Sequence, residues 1–150
     1  MECTGSKKIA VVFCVLVLTL LCSCSGTLKA QKMDNIKAEI TKVGYRQDTF
    51  GERRGDISTI GGLLDNGWTF FFYDYGKNKA GLDNYLALLD LGGDTAVKDK
   101  GSNYVIYEGS NNINYWIYAR VDNTWLEVWG PKGDKEDIKK FVTGLGYYKD

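Results

Sequence analysis

Six residues in the last third of the chain carry the strongest chemical signal. Trp116, Tyr118 and Arg120 alternate along one apolar run, and Trp125, Glu127 and Trp129 alternate along the next. In extended chain, alternate side chains share a face. The Asp122-Asn123 break between the runs predicts a two-residue hairpin turn that sets Val121 opposite Thr124, Tyr118 opposite Glu127 and Trp116 opposite Trp129. Four rings with Arg120 and Glu127 among them then form one patch. Flat rings beside a cation and a carboxylate suit stacking on sugar rings, or docking of a protein partner, and large exposed apolar patches mark such sites. The competing reading is that the protein's own helices cover this face and the six residues are core.

Other chemistries are narrowed by composition. The chain has no His, which removes Ser-His-Asp and Cys-His catalysis, imidazole metal ligands and an imidazole pH switch. A hydrolase would need paired carboxylates at a defined separation, for which Asp74 with Glu108 or Glu127 are candidates; solvated charge is the better reading of them. Asp90, Asp94 and Asp99 lie in a Gly-rich stretch, but their spacing does not fit a calcium loop. Glu52, Arg53 and Arg54 between Gly51 and Gly55 read as a loop more readily than as an anion site. No catalytic residue, metal ligand or cofactor is therefore assigned. Nineteen basic and nineteen acidic residues balance and intersperse, so no basic stripe is present for nucleic acid.

Lys7 and Lys8 precede an apolar run from Ile9 to Leu21, the n- and h-regions of an export signal. That run is shorter than the roughly 20 residues needed to span a bilayer. It ends in Leu21-Cys22-Ser23-Cys24, an order that resembles a bacterial lipobox with Cys24 as the acylated residue. Cleavage after Ala30, before Gln31, is the alternative and would give a soluble periplasmic or secreted protein. All four cysteines lie at or before Cys24, so the mature domain is expected to have no disulfide and no thiol nucleophile. The expected organisation is a signal and lipobox over residues 1–24, a tether over 25–32 and one domain over 33–150, with the membrane engaged through the anchor alone.

The elements that must position the patch follow from periodicity. Ile36, Ile40 and Val43 give a helix closed by Gly44; Leu82, Tyr85, Leu86 and Leu89 give a second, stopped by Gly92-Gly93; Ile138, Phe141, Val142 and Leu145 give a third, opened by Asp134 with Asp137 as a capping-box variant. Residues 56–67 fit a short helix through Ile57, Ile60 and Leu64, against the cost of Gly61 and Gly62. Trp68 to Tyr75 reads as a central strand buried on both faces. Residues 95–98 give at most a brief edge strand, followed by the meander from Tyr104 to Trp129, whose core face carries Tyr115, Ile117, Ala119, Leu126 and Val128. The expectation is an α+β fold, an antiparallel sheet of about four strands with three or four helices.

The run Trp125-Leu126-Glu127-Val128-Trp129-Gly130 followed by Asp134-Lys135-Glu136-Asp137-Ile138 resembles a family of small secreted bacterial domains of unknown function. The resemblance implies envelope export and supplies no reaction. The functional expectation is an exported, lipid-anchored binding module without catalysis, using the aromatic sheet face on a glycan or protein; a carboxylate-based hydrolase acting on polysaccharide is the alternative.

Overall fold

The computed structural model describes residues 26–44, 51–53 and 57–149. The export signal, Cys24 and most of the Tyr45 to Asp56 loop lie outside the described residues. One antiparallel sheet runs through the molecule. Its strands are β1 (Gly51–Arg53), β2 (Ser58–Leu63), β3 (Thr69–Asp74), β4 (Ala96–Lys100), β5 (Tyr104–Ser110), β6 (Asn114–Val121) and β7 (Thr124–Pro131), in the order β1-β2-β3-β7-β6-β5-β4. Six of the strands have five residues or more, and β1 is a three-residue edge. The α+β antiparallel class is as expected, whereas the strand number exceeds the expected four.

The excess has a specific cause. Residues 58–63 are strand, not helix. Ile60 and Leu64 are separated by four positions, which places them on one face of a strand as readily as on one face of a helix. Both are buried in the core, and Ile57 joins the cluster on the opposite side. Gly61 also answers to packing: a Cβ there would enter the Phe71 ring, which lies across the β2 backbone. A polar stretch beyond Thr95 supplies β4, whose register shifts at a bulge between Val97 and Asp99.

The meander register is the expected one, with Val121 opposite Thr124, Tyr118 opposite Glu127 and Trp116 opposite Trp129. Asp122 turns the chain with φ 51, in the left-handed region that Asp and Asn tolerate best after Gly. Along β3 the aromatic run splits by alternation: Phe70 and Phe72 are fully buried on one face, while Phe71 and Tyr73 are half-buried on the other. The strand is interior, flanked by β2 and β7, but it is not buried on both faces.

Two helices pack on the Phe70–Phe72 face. These are α1 (Met33–Lys42), through Ile36 and Ile40, and α3 (Lys135–Gly144), through Ile138 and Val142. They close a core of Ile60, Ile106, Ile117, Ala119, Leu126 and Val128, all fully buried. At about 25 cal/mol per Å², burial of side chains of this size supplies roughly 1.5–3 kcal/mol each. The final Tyr147 and Tyr148 fold back onto this core. Asp134 makes no side-chain cap of α3; it follows a single 3-10 turn (Lys132–Asp134), and its Oδ2 accepts from Trp68 Nε1 at 2.9 Å.

The segment over 26–32 is no free tether. Leu28 and Ala30 pack against the core, and the Leu28 backbone pairs with the Asn103 amide, N–H to Oδ1 at 3.2 Å and Nδ2–H to the carbonyl at 2.8 Å. Gln31 N–H donates to Tyr147 Oη at 3.2 Å; that hydroxyl lies 2.6 Å from Thr124 Oγ1, which itself donates to the Val121 carbonyl. Because the Thr124 proton is committed to Val121, Tyr147 is the donor to Thr124. Burial pushes its phenol up to about 12, so that donor stays protonated.

Candidate functional site

The face opposite the main core carries all six residues singled out by alternation, and a helix crosses part of it. Helix α2 (Lys79–Leu88) starts at Asn78, whose Oδ1 accepts from Gly81 N at 2.9 Å, and it buries only Leu82 completely, against Tyr75 and Trp125. Its remaining grip is polar. Tyr85 Oη donates to Glu127 Oε1 at 2.9 Å, and Asp83 Oδ1 pairs with the Arg120 guanidinium at 2.7 Å.

Beneath the helix lies a ring cluster. Trp125 is fully buried; it stacks on Tyr118 at 6.0 Å and 14°, meets Tyr107 edge-on at 6.2 Å, and donates its indole N–H to Glu127 Oε1 at 2.7 Å. Two donors on one oxygen satisfy a carboxylate that is only 9% exposed. Burial nevertheless pushes the Glu127 carboxyl above its ordinary value, against the pull of the Trp125 and Tyr85 hydrogen bonds. The same negative charge, after burial itself, raises the phenols of Tyr73, Tyr75 and Tyr118.

Trp116 is also largely covered. Its indole lies over Gly109, donates to Thr95 Oγ1 at 2.8 Å and meets Gly93, where the chain leaves α2. An open hollow of about 290 Å³ between Gly92, Ser110, Trp116 and Tyr118 remains beside it. Arg120 edges a polar groove of about 790 Å³ with Lys79, Lys100 and Tyr107. Of the four rings in the expected patch, Trp125 and Trp116 are buried, while Tyr118 and Trp129 are half-buried. Trp125 cannot touch a ligand in this arrangement, because α2 covers it.

The alternation pattern missed the rings that continue from Trp129. Phe71 stacks on Trp129 at 5.8 Å and 27°, and Tyr73 stacks on Phe71 at 6.2 Å and 22°. Phe71 lies over Gly61, and the three half-buried rings adjoin one another along the sheet as a platform. Thr69 is the register partner of Trp129, and Thr59 that of Tyr73, placing a hydroxyl at each end. Leu63, half-exposed at 51%, borders the platform beside Thr69. The available signal was the alternation within Thr-Phe-Phe-Phe-Tyr-Asp, hidden by its being aromatic at every central position.

The carboxylate pairs do not converge. Glu127 projects from the face opposite Asp74 and Glu108: Asp74 alternates with Phe70 and Phe72, and Glu108 Oε2 accepts from Tyr148 Oη at 2.8 Å while Oε1 faces Lys135 at 3.4 Å, on the α3 side. Asp74 is opposite Thr124, whereas Glu108 is opposite Ile117, itself opposite Val128. That separation is about 13 Å along the strands and about 14 Å across them. Glycoside hydrolysis wants roughly 5–10 Å. Among the described residues no three Asp, Glu or Cys side chains converge on a metal position. Asp90 Oδ1 caps Gly92 N, and Asp99 Oδ2 takes the Tyr104 hydroxyl.

No family model matches the chain, and no curated protein matches it. Among solved structures the chain is similar to a GTP-binding regulator from Thermotoga maritima, at 15% identity over 82% of this chain and 93% of that one, with a TM-score of 0.47. A similarity of that size carries nothing about activity. No described helix is long and apolar enough to cross a membrane.

Proposed function

We propose that the chain is an exported cell-envelope module, lipid-anchored at Cys24, that binds a glycan without chemistry on the ring faces of Trp129, Phe71 and Tyr73. The observation that supports this is the contiguous row of those three half-buried rings, Trp129 beside Phe71 and Phe71 beside Tyr73, with Phe71 lying over Gly61. Pyranose rings present flat C–H faces of similar size, and the Thr59 and Thr69 side chains are placed to meet their hydroxyls. Size favours a glycan over a protein. A whole aromatic side chain covers ~150–250 Å². Three half-buried ones leave at most a few hundred Å², short of the ~800 Å² per partner of a stable protein interface.

The test is a panel of oligosaccharides, such as maltohexaose, cellohexaose, chitohexaose and mannohexaose, titrated by calorimetry against the chain and its Trp129→Ala and Phe71→Ala variants. Binding that falls at least tenfold in both variants while Trp116→Phe retains it supports the reading. Binding that persists undiminished in both platform variants would place the ligand elsewhere.

A further inference from the structure

Glu127 sits at the boundary between helix α2 and the ring platform. It is only 9% exposed, and both of its donors, Tyr85 Oη and Trp125 Nε1, go to Oε1. Oε2 accepts from no donor among the described residues, and no described ammonium or guanidinium pairs with the carboxylate. Arg120, on the same face, is held by Asp83 Oδ1 at 2.7 Å and gives its Nε–H to the Asp122 carbonyl. Buried polar groups almost always find partners, and each carboxylate oxygen offers about two acceptor positions. Enclosed side-chain polar atoms among the described residues find theirs, save Tyr115 Oη on the opposite face. Oε2 therefore keeps an opening to the surface.

The register places that opening. Along β7, Glu127 stands between Trp125 and Trp129 on one face; across the sheet it is opposite Tyr118 on β6 and Phe71 on β3. Trp125 and Tyr118 stack beneath α2, and Tyr85 closes the helix side. Glu127 lines neither the hollow beside Trp116 nor the groove beside Arg120. What remains is the side of Phe71 and Trp129, two half-buried rings of the platform. Register partners have Cβ atoms about 4.5–5.5 Å apart, so a sugar ring lying on Phe71 brings its rim hydroxyls within reach of the carboxylate.

We infer that Glu127 Oε2 accepts a hydroxyl of the sugar seated on Phe71 and Trp129, and that the carboxylate confines the site to sugars without acidic groups. This deepens the glycan reading above and rests on it. A hydroxyl donating to a carboxylate makes a short, charge-assisted bond, roughly twice as strong as a neutral one. Losing such a bond costs roughly ten- to a hundredfold in affinity. An acidic sugar instead brings a second negative charge to a largely desolvated carboxylate, where repulsion is strong.

The test is calorimetry at pH 7 on the full chain. Maltohexaose, cellohexaose, chitohexaose and mannohexaose are each titrated beside the C6-oxidised counterpart, in which carboxylates replace the hydroxymethyl groups. The hexasaccharide that binds is expected to do so at least tenfold more tightly than its oxidised form. Equal affinity for the two overturns the inference without any variant. Glu127→Gln still accepts from Tyr85 and Trp125 through its carbonyl but turns an amide NH2 to the ligand. Its affinity should fall at least tenfold, and its preference over the oxidised form should shrink to less than threefold. Tyr85→Phe removes a donor from Oε1 and keeps a ring against Tyr73, so it loosens α2 without touching Oε2; its binding should stay within threefold of wild type. A loss in Tyr85→Phe as large as that in Glu127→Gln means that the carboxylate acts by holding the helix, and overturns the inference. Undiminished binding by Glu127→Gln, with Trp129→Ala still losing it, overturns the acceptor role and leaves the platform reading standing. Binding by none of the hexasaccharides overturns both.

Discussion

Trp125 and Trp129 are four residues apart on one strand and one face, yet truncating them has different consequences. Trp125 is fully buried under α2, stacked on Tyr118 and bonded to Glu127. Its removal costs about 3–5 kcal/mol from lost contacts and the cavity left behind. Leaving Glu127 with one donor in place of two adds about 1–3 kcal/mol. Trp129 is half-buried, and its replacement by Ala loses the Phe71 stack, ~0.5–1.5 kcal/mol, with part of its apolar burial, for a total of about 1–2 kcal/mol. Followed by far-UV circular dichroism in urea, with a slope of about 1.5 kcal/mol per M, Trp125→Ala should lower the midpoint by at least about 2 M and Trp129→Ala by about 1 M. Trp125→Phe keeps a ring on Tyr118 and loses the N–H, and should fall between wild type and Trp125→Ala. Equal midpoints for the two Ala variants would refute the assignment of one ring to the core and the other to the platform.

Four further outcomes follow from the same geometry. Burial raises the Glu127 carboxyl, so the unfolded chain releases that proton first and wild-type stability falls as pH rises from the ordinary carboxylate value through the raised one; Glu127→Gln, which can still accept from Trp125 and Tyr85, should have the higher Tm at pH 7 and lose that advantage near pH 3.5. Glu108 has the opposite sign: burial pushes it up, but the nearby Tyr148 and Tyr115 hydroxyls and the Lys139 and Lys135 ammonium groups bring it below the ordinary value. Its stabilisation is present at neutral pH and is lost as pH falls through that lowered value, so Glu108→Gln should lower Tm at pH 7, with the difference closing in acid. Gly61→Ala puts a methyl into the Phe71 ring and should cost about 1–3 kcal/mol in urea unfolding while weakening any ligand held by the platform. A chain beginning at Gln31 loses the two Leu28–Asn103 hydrogen bonds and the Leu28 and Ala30 packing, and should unfold about 2–4 kcal/mol more easily than one beginning at Ser25.

What was legible in the sequence was whatever a single period encodes. The hairpin at Asp122-Asn123 fixed the register of β6 and β7, because a two-residue turn and strict alternation leave one pairing that buries Ile117, Ala119, Leu126 and Val128 together. The stripe Leu82, Tyr85, Leu86 and Leu89 likewise marked a helix destined for the sheet. Periodicity does not say which side of the sheet a helix takes, nor how wide the sheet is. Those two gaps produced one displacement of the candidate site. Helix α2 is ten residues, about 15 Å long and about 10 Å across, against strands spaced about 4.8 Å apart. On a four-stranded sheet such a helix would cover most of a face. On seven strands it covers Tyr75, Trp125, Tyr118 and Tyr107, and its Tyr85 meets Tyr73 at the edge of that cluster. The strand hidden in residues 58–63, where Ile60 and Leu64 suit either period, widens the sheet beyond the reach of α2 and supplies Gly61 for Phe71 to lie on. Reading that segment as helix therefore narrowed the sheet, so the expected patch of Trp116, Tyr118, Trp125 and Trp129 stopped at Trp129 and left out Phe71 and Tyr73.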